Sequence, residues 1–122
     1  MKQVFGKAAV PLSPAVRAGD FIFVSGQTPI GANGENVGGT IEQQTRQVLE
    51  NVKAALALAG AEMSDVVKTT CWLDDARDFS GFNRVYASYF QQEPPARTTA
   101  ESRLMADIKV EIEAIAYKPL AE

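Results

Sequence analysis

The feature that most constrains the fold is the segment at residues 40–60, which has the pattern of a helix with one apolar side. Thr40 with Gln43 forms a capping box at its start, and Gly60 supplies a stop at its end. Between them a single stripe contains Ile41, Thr45, Val48, Leu49, Val52, Ala55, Leu56 and Ala59. Such a helix must bury its apolar side against another element, so we expect it to pack on a sheet.

Short segments with strand-like patterns supply that sheet. Residues 15–17 and 21–25 flank the turn signal Ala18-Gly19-Asp20 and therefore predict a hairpin. Residues 65–74 alternate, with one side formed by Val67, Thr69, Cys71 and Leu73 and the other by Val66, Lys68, Thr70 and Trp72. This alternation predicts that Cys71 lies in the core.

A second amphipathic helix is predicted over about residues 79–91, after a cap at Asp78. Its stripe is best explained as core and consists of Phe79, Phe82, Val85, Tyr86, Tyr89 and Phe90. Pro94-Pro95 then block the helix and lead into the first of two final strands. Residues 31–39, rich in glycine and asparagine, predict a loop that borders a site.

The predicted order is three strands, a helix, a strand, a helix and two strands within 122 residues, with no linker. This indicates an α+β fold of one domain, residues 1–122, with a mixed sheet and both helices on one face. The other face is also predicted to carry apolar groups, namely Trp72, Val66, Ile115 and Tyr117. We therefore expect self-association to cover that face.

Composition excludes several kinds of function. The chain has no histidine, which excludes Ser-His-Asp triads, Cys-His pairs and histidine-based metal sites. A metal site built only from Asp and Glu is the alternative, but capping and solvation explain the aspartates better, so no metal is expected. A net charge of -3 gives no general attraction to nucleic acids or anionic membranes. No apolar run reaches the roughly 20 residues of a membrane span, and a single cysteine fits a reducing compartment. We expect a cytoplasmic protein with neither a nucleic-acid nor a membrane partner.

Two charged residues stand where strand alternation predicts burial. Arg97 lies in Pro94-Pro95-Ala96-Arg97-Thr98-Thr99, and Glu111 lies in the alternating segment at residues 109–116. Arginine and glutamate are rarely buried without a partner, so an acidic ligand is a candidate partner for the arginine. The structural alternatives are an ion pair of Arg97 with Glu101 or Glu113, or a surface arginine whose charged end reaches into solvent.

Together with Ser25-Gly26-Gln27, these segments resemble the YjgF/RidA family of small imine and enamine deaminases over nearly the whole chain. The resemblance implies a chorismate-mutase-like α+β fold whose final strand lies beside residues 21–25, although a simple interpretation would pair the last two strands as a hairpin. It also implies a homotrimer whose sheets meet in a central barrel, with sites in clefts between subunits and no cofactor.

The resemblance assigns roles to particular residues. Arg97 would clamp the carboxylate of the substrate, and Glu111 would hold and activate water. The cleft would be lined by Thr98, Thr99, Ser25, Gly26 and Asn83, while Glu113 would be a structural partner or, alternatively, exchange roles with Glu111. Two positions depart from the family pattern: Leu12 replaces a common tyrosine, and Thr99 replaces a common cysteine.

The function implied is hydrolysis of reactive 2-imino or 2-enamino acids to 2-keto acids and ammonia. A non-catalytic module that binds a small carboxylate or serves a regulator would use the same cleft. A third class, ribonuclease or translation inhibitor, is a label that some relatives carry. The acidic net charge and the absence of histidine weigh against it.

Overall fold

A computed structural model of the chain describes residues 1–120, so the last two residues of the predicted domain lie outside the described part. The strands are β1 (Gln3–Phe5), β2 (Ala15–Ala18), β3 (Phe21–Gln27), β4 (Val66–Leu73), β5 (Ala96–Glu101) and β6 (Val110–Tyr117). The helices are α1 (Ile41–Leu58) and α2 (Phe79–Tyr89). The six strands form one mixed sheet that the two helices cover on one face, which confirms the predicted α+β class.

The strand order is β1-β2-β3-β6-β4-β5. The final strand β6 pairs antiparallel with β3, as the family resemblance implied, and β4 separates it from β5. The predicted hairpin of β2 and β3 is also present. β4 and β5 are parallel and are connected by α2, so β5 forms the edge of the sheet. The last two strands do not pair with each other.

Helix α1 begins and ends as predicted. The Thr40 hydroxyl accepts a hydrogen bond from the Gln43 amide, and the Gln43 side chain accepts one from the Thr40 amide. At the other end Gly60 has a φ of 81°, where a residue without Cβ is least strained, and the Ala61 amide donates to the Leu56 carbonyl. All eight residues of the predicted stripe are buried.

Helix α2 ends at Tyr89, two residues before the predicted end at Gln91. The predicted cap at Asp78 is wrong in its chemistry, because the Asp78 side chain makes no capping hydrogen bond. A 3₁₀ turn, Ala76–Asp78, precedes the helix, and the Asp75 side chain caps that turn by accepting from the Arg77 amide at 2.9 Å. The short turn supplies the first backbone hydrogen bonds and takes over the role expected of Asp78.

Two face assignments in β4, those of Val66 and Val67, are wrong. Val66 was expected to share a side with Trp72, but it is 5% exposed and belongs to the core with Cys71, whereas Val67 is 45% exposed. The pairing of β4 with β6 shifts its register between Val66 and Lys68. Because the side-chain period of a strand is two, a one-residue irregularity moves each earlier residue to the opposite face.

The second face of the sheet carries apolar groups that the chain itself leaves open. Phe23 pairs with Ile115 and Phe21 with Tyr117, and the last two rings meet edge to face at 5.2 Å. Phe21, Phe23, Val67 and Tyr117 are each more than 40% exposed. Large apolar side chains grouped on one sheet face are typical of an interaction surface.

Two amide side chains of α1 fix the glycine-rich loop. Asn51 Nδ2 donates to the carbonyls of Thr28 and Ile30, both at 2.9 Å, where the loop begins. Gln44 is 5% exposed; its Nε2 donates to the Gly39 carbonyl at 3.3 Å, and its Oε1 accepts from the Lys109 amide at 2.9 Å. The loop is therefore anchored at both ends.

No helix within residues 1–120 is long and apolar enough to cross a membrane.

Candidate functional site

Arg97 lies on the edge strand β5 and faces helix α2. In the sheet it is aligned with Thr69, whose side chain belongs to the helix-covered face. Its Nη1 donates to Asn83 Oδ1 at 2.9 Å. The guanidinium carbon is 4.8 Å from the ring centroid of Tyr86, 5.4 Å from Phe82 and 5.6 Å from Phe79. The amide and the three rings hold the guanidinium in place, since a cation is attracted to aromatic faces at these distances.

Within residues 1–120 Arg97 has no carboxylate partner at salt-bridge distance. Glu101 Oε2 accepts from the Ala76 amide at 2.8 Å, and Glu113 lies on the opposite face of the sheet. A guanidinium has five N–H donors, of which Asn83 uses one. The arrangement therefore leaves donors for a planar, bidentate contact with a carboxylate.

The three rings around Arg97, those of Phe79, Phe82 and Tyr86, form an aromatic platform that was not predicted as part of a site. The aromatic stripe of α2 is predicted to be core, and Phe82 and Tyr86 are indeed buried. Tyr86 is fixed further by a 2.7 Å hydrogen bond between its hydroxyl and that of Thr69. Asn83 and Tyr86 are three residues apart on one helix, so both face Arg97. That spacing is the signal that could have revealed the platform.

Glu111 lies on the other face of the sheet. It is aligned with Trp72 in β4, and both residues are partly buried. Burial, and secondarily the charge of Glu113, raise the pKa of the Glu111 carboxyl above its usual range. A carboxyl with a raised pKa can hold and release a proton nearer neutral pH, which suits a general acid or base.

Gly26 and Ser25 lie in an irregular part of β3. The pairing of β3 with β6 shifts its register between Val24 and Gln27, so the segment is a bulge. A Cβ on Gly26 would overlap the Glu111 carboxylate, and this explains why a residue without a side chain stands there. The Ser25 hydroxyl donates to the Ser13 carbonyl at 2.6 Å. Its proton is thus engaged, and the oxygen can only accept from a ligand.

Thr98 and Thr99 point to opposite faces. Thr98 is exposed and accepts from Lys68 Nζ at 3.2 Å, on the side away from Arg97. Thr99 is aligned with Cys71 on the helix-covered side, and its buried hydroxyl has no hydrogen-bond partner within residues 1–120. The structure thus brings Arg97 together with Asn83 and Thr99.

The predicted residues form two groups that one chain keeps apart. Arg97, Asn83 and Thr99 lie on the helix-covered side of β5, and Glu111 with Gly26 lies on the opposite face of β6. Strand β4 lies between β5 and β6, so these two strands are about 10 Å apart across the sheet. One small ligand cannot touch both groups of the same chain.

The fold is an α+β sheet of this strand order, and it carries a half-buried arginine with no acidic partner among residues 1–120. The family model described as Endoribonuclease L-PSP matches residues 3–118. The chain belongs to this family, which is the YjgF/RidA family that the sequence resembled.

Named relatives support this membership. A RutC family protein of Pyrococcus horikoshii is 54% identical over 110 residues, which are 88% of this chain and 87% of that protein. The 2-iminobutanoate/2-iminopropanoate deaminase of Escherichia coli is 39% identical over 112 residues, 88% of each chain. A solved structure of TdcF from E. coli with bound serine has a TM-score of 0.89 and 35% identity, and it matches over 95% of this chain and 98% of that one.

Proposed function

We propose that this protein hydrolyses 2-imino acids, and their 2-enamino tautomers, to 2-keto acids and ammonia. Water adds to the imine carbon, the carbon–nitrogen bond breaks, and nitrogen leaves with the protons it needs as ammonia. The observation that carries the proposal is the half-buried Arg97, held by Asn83 and aromatic rings with donors still free. The name of the E. coli deaminase and the serine bound to TdcF agree with a small carboxylate as ligand.

In this proposal Arg97 binds the substrate carboxylate, and Glu111 of a second copy of the chain handles the protons. Glu111 takes a proton from the attacking water and later gives one to the leaving nitrogen, as one positioned carboxyl can do in succession. The separation of the two groups within one chain is the reason to invoke a second copy. A homotrimer that uses the exposed face with Phe21, Phe23, Val67 and Tyr117 would supply it.

The first test uses imines made by an amino-acid oxidase from alanine or 2-aminobutanoate and trapped with semicarbazide. Wild-type protein should lower the trapped fraction and raise the 2-keto acid. Glu111→Gln should abolish this activity and keep 2-keto acid binding, because Arg97, which binds the carboxylate in this proposal, is unchanged. Glu113→Gln is the matched control on the same strand face, and if it alone abolished activity the two glutamates would have exchanged roles.

The second test addresses the shared site. Arg97→Ala and Glu111→Gln should each be inactive alone. If the two variants are unfolded together, mixed in equal amounts and refolded, about a quarter of the sites should combine an intact arginine with an intact glutamate from different copies. Recovery of about a quarter of the wild-type activity supports the assignment. No recovery from a mixture shown to contain mixed oligomers would refute the shared site.

A carboxylate-binding module without catalysis is the second candidate. It is favoured by one observation, the serine in TdcF, which shows a relative holding an amino acid rather than an imine. Unchanged imine lifetimes together with 2-keto acid binding that Arg97→Ala removes would establish this candidate in place of the deaminase.

The name of the family model refers to an endoribonuclease. We propose no nucleic-acid partner for this chain, because its net charge is -3 and it has no histidine. RNA cleavage that survives stringent purification and the Arg97→Ala substitution would contradict that view.

A further inference from the structure

A small, mostly apolar cavity of about 260 Å³ opens at the carboxyl ends of the parallel strands β4 and β5. Its lining residues are Leu73, Ala76, Phe79, Thr99, Ala100 and Glu101. Crevices at the carboxyl ends of parallel strands are common ligand sites in open sheets. Neither Arg97 nor Glu111 lines this cavity, so the catalytic steps proposed above do not account for it.

Phe79 lies beside both this cavity and the guanidinium of Arg97. The guanidinium carbon of Arg97 lies 5.6 Å from the Phe79 ring centroid, and the same ring lines the cavity. Thr99 lines the cavity as well and follows Arg97 by two residues on the same face of β5, about 6.6 Å along the strand. A carboxylate held by Arg97 therefore leaves its carbon substituent within reach of the cavity.

The lining determines what can enter. Leu73, Phe79 and two alanines are apolar, and the Thr99 hydroxyl oxygen is shielded, so it offers no hydrogen bond to an occupant. The one charged group is Glu101, whose side chain also accepts from the Ala76 amide. The volume is below the roughly 300–1,000 Å³ of pockets for drug-sized ligands. The occupant that fits is a short aliphatic group, and an anionic group would meet the charge of Glu101.

We propose that this cavity receives the aliphatic side chain of the 2-imino acid and sets the substrate preference of the enzyme. Imines with short aliphatic side chains are preferred over the methyl-bearing one, and dicarboxylic imines are rejected. This inference rests on the proposed function and adds to it the residues that select the substrate: Ala76, which limits the length, and Glu101, which excludes negative charge.

The test measures kcat/KM for imines derived from alanine, 2-aminobutanoate and norvaline. For wild-type protein kcat/KM should rise about fourfold with each added methylene, as expected for burying one methylene. Ala76→Leu fills the cavity and should remove this rise. Ala87→Leu adds the same group at an exposed position of α2 and is the matched control, in which the rise should persist.

A second variant probes the charge and does not depend on how well Ala76→Leu folds. Glu101→Gln should raise kcat/KM for the aspartate-derived imine relative to the norvaline-derived one by about tenfold, whereas Glu35→Gln, which makes the same charge change on an exposed loop, should leave the ratio unchanged. A flat series in wild-type protein, or a rise that survives in Ala76→Leu, would overturn the cavity assignment while the deaminase proposal stands. Absence of turnover for every imine would overturn the deaminase proposal itself.

Discussion

Two adjacent buried polar residues of α1 should respond to substitution with opposite signs. Gln44 is 5% exposed and fully engaged, since it links the Gly39 carbonyl to the Lys109 amide. Thr45 is 0% exposed, and its hydroxyl has no partner among the described residues. The prediction is that Gln44→Met lowers the free energy of unfolding and that Thr45→Val raises it.

The expected magnitudes follow from these contacts. Gln44→Met keeps the volume and loses both hydrogen bonds; the partly buried Lys109 amide is left without an acceptor, whereas the Gly39 carbonyl is exposed and can bind water. An unsatisfied buried donor costs about 1–3 kcal/mol, so the total loss should be about 2 kcal/mol. Thr45→Val removes an unsatisfied hydroxyl without making a cavity and should add about 1 kcal/mol.

Urea denaturation at one fixed chain concentration measures both changes, with Tm as a second reading. For 122 residues the unfolding entropy of about 2.1 cal/mol/K per residue converts 1 kcal/mol into about 4 °C. Gln44→Met should therefore lower Tm by about 8 °C, and Thr45→Val should raise it by about 4 °C. Shifts of the same sign, or a loss below about 0.5 kcal/mol for Gln44→Met, would refute this accounting of buried hydrogen bonds.

Three further predictions concern the site and the thiol. Glu113→Gln removes one cause of the raised pKa of Glu111. The low-pH side of the kcat profile, where activity falls as Glu111 becomes protonated, should therefore move to lower pH. An unchanged profile would contradict the coupling between the two carboxyls. Gly26→Ala should displace the Glu111 carboxylate and lower kcat at least tenfold while 2-keto acid binding persists. Gly38→Ala is the control and should have no effect, because an added Cβ there meets no other atom. Equal losses in both variants would argue against a specific clash. Burial raises the pKa of the Cys71 thiol to about 11, so a thiol reagent at pH 8 should label it only after unfolding, and rapid labelling of native protein would contradict its placement.

Local patterns were sufficient for α1, because its capping box, apolar stripe and terminal glycine all lie within one segment. The position of β6 between β3 and β4 came from the family resemblance, since no pattern within a strand states which strands are its neighbours. The face of Val66 was predicted incorrectly because a register shift interrupts the period of two. Local rules thus fail where the partner strand decides the geometry.

The candidate site shows the same limit. Alternation singled out Arg97 and Glu111 as charged residues at positions expected to be buried. It could not assign them to opposite faces of the sheet, because the face depends on which strands separate them. The role of the α2 rings was missed for a related reason: an aromatic stripe has the same pattern whether its rings contact leucines or a guanidinium.

The placement of Arg97 and Glu111 on opposite sides of one sheet has a quantitative consequence for the proposed enzyme. An isolated chain would retain the ability to sequester an anion but would have no turnover. Specific activity would then depend on protein concentration, falling on dilution below the dissociation constant of the assembly and returning on concentration. In a cell, the amount of this chain produced would set the efficiency of each copy as well as the number of copies.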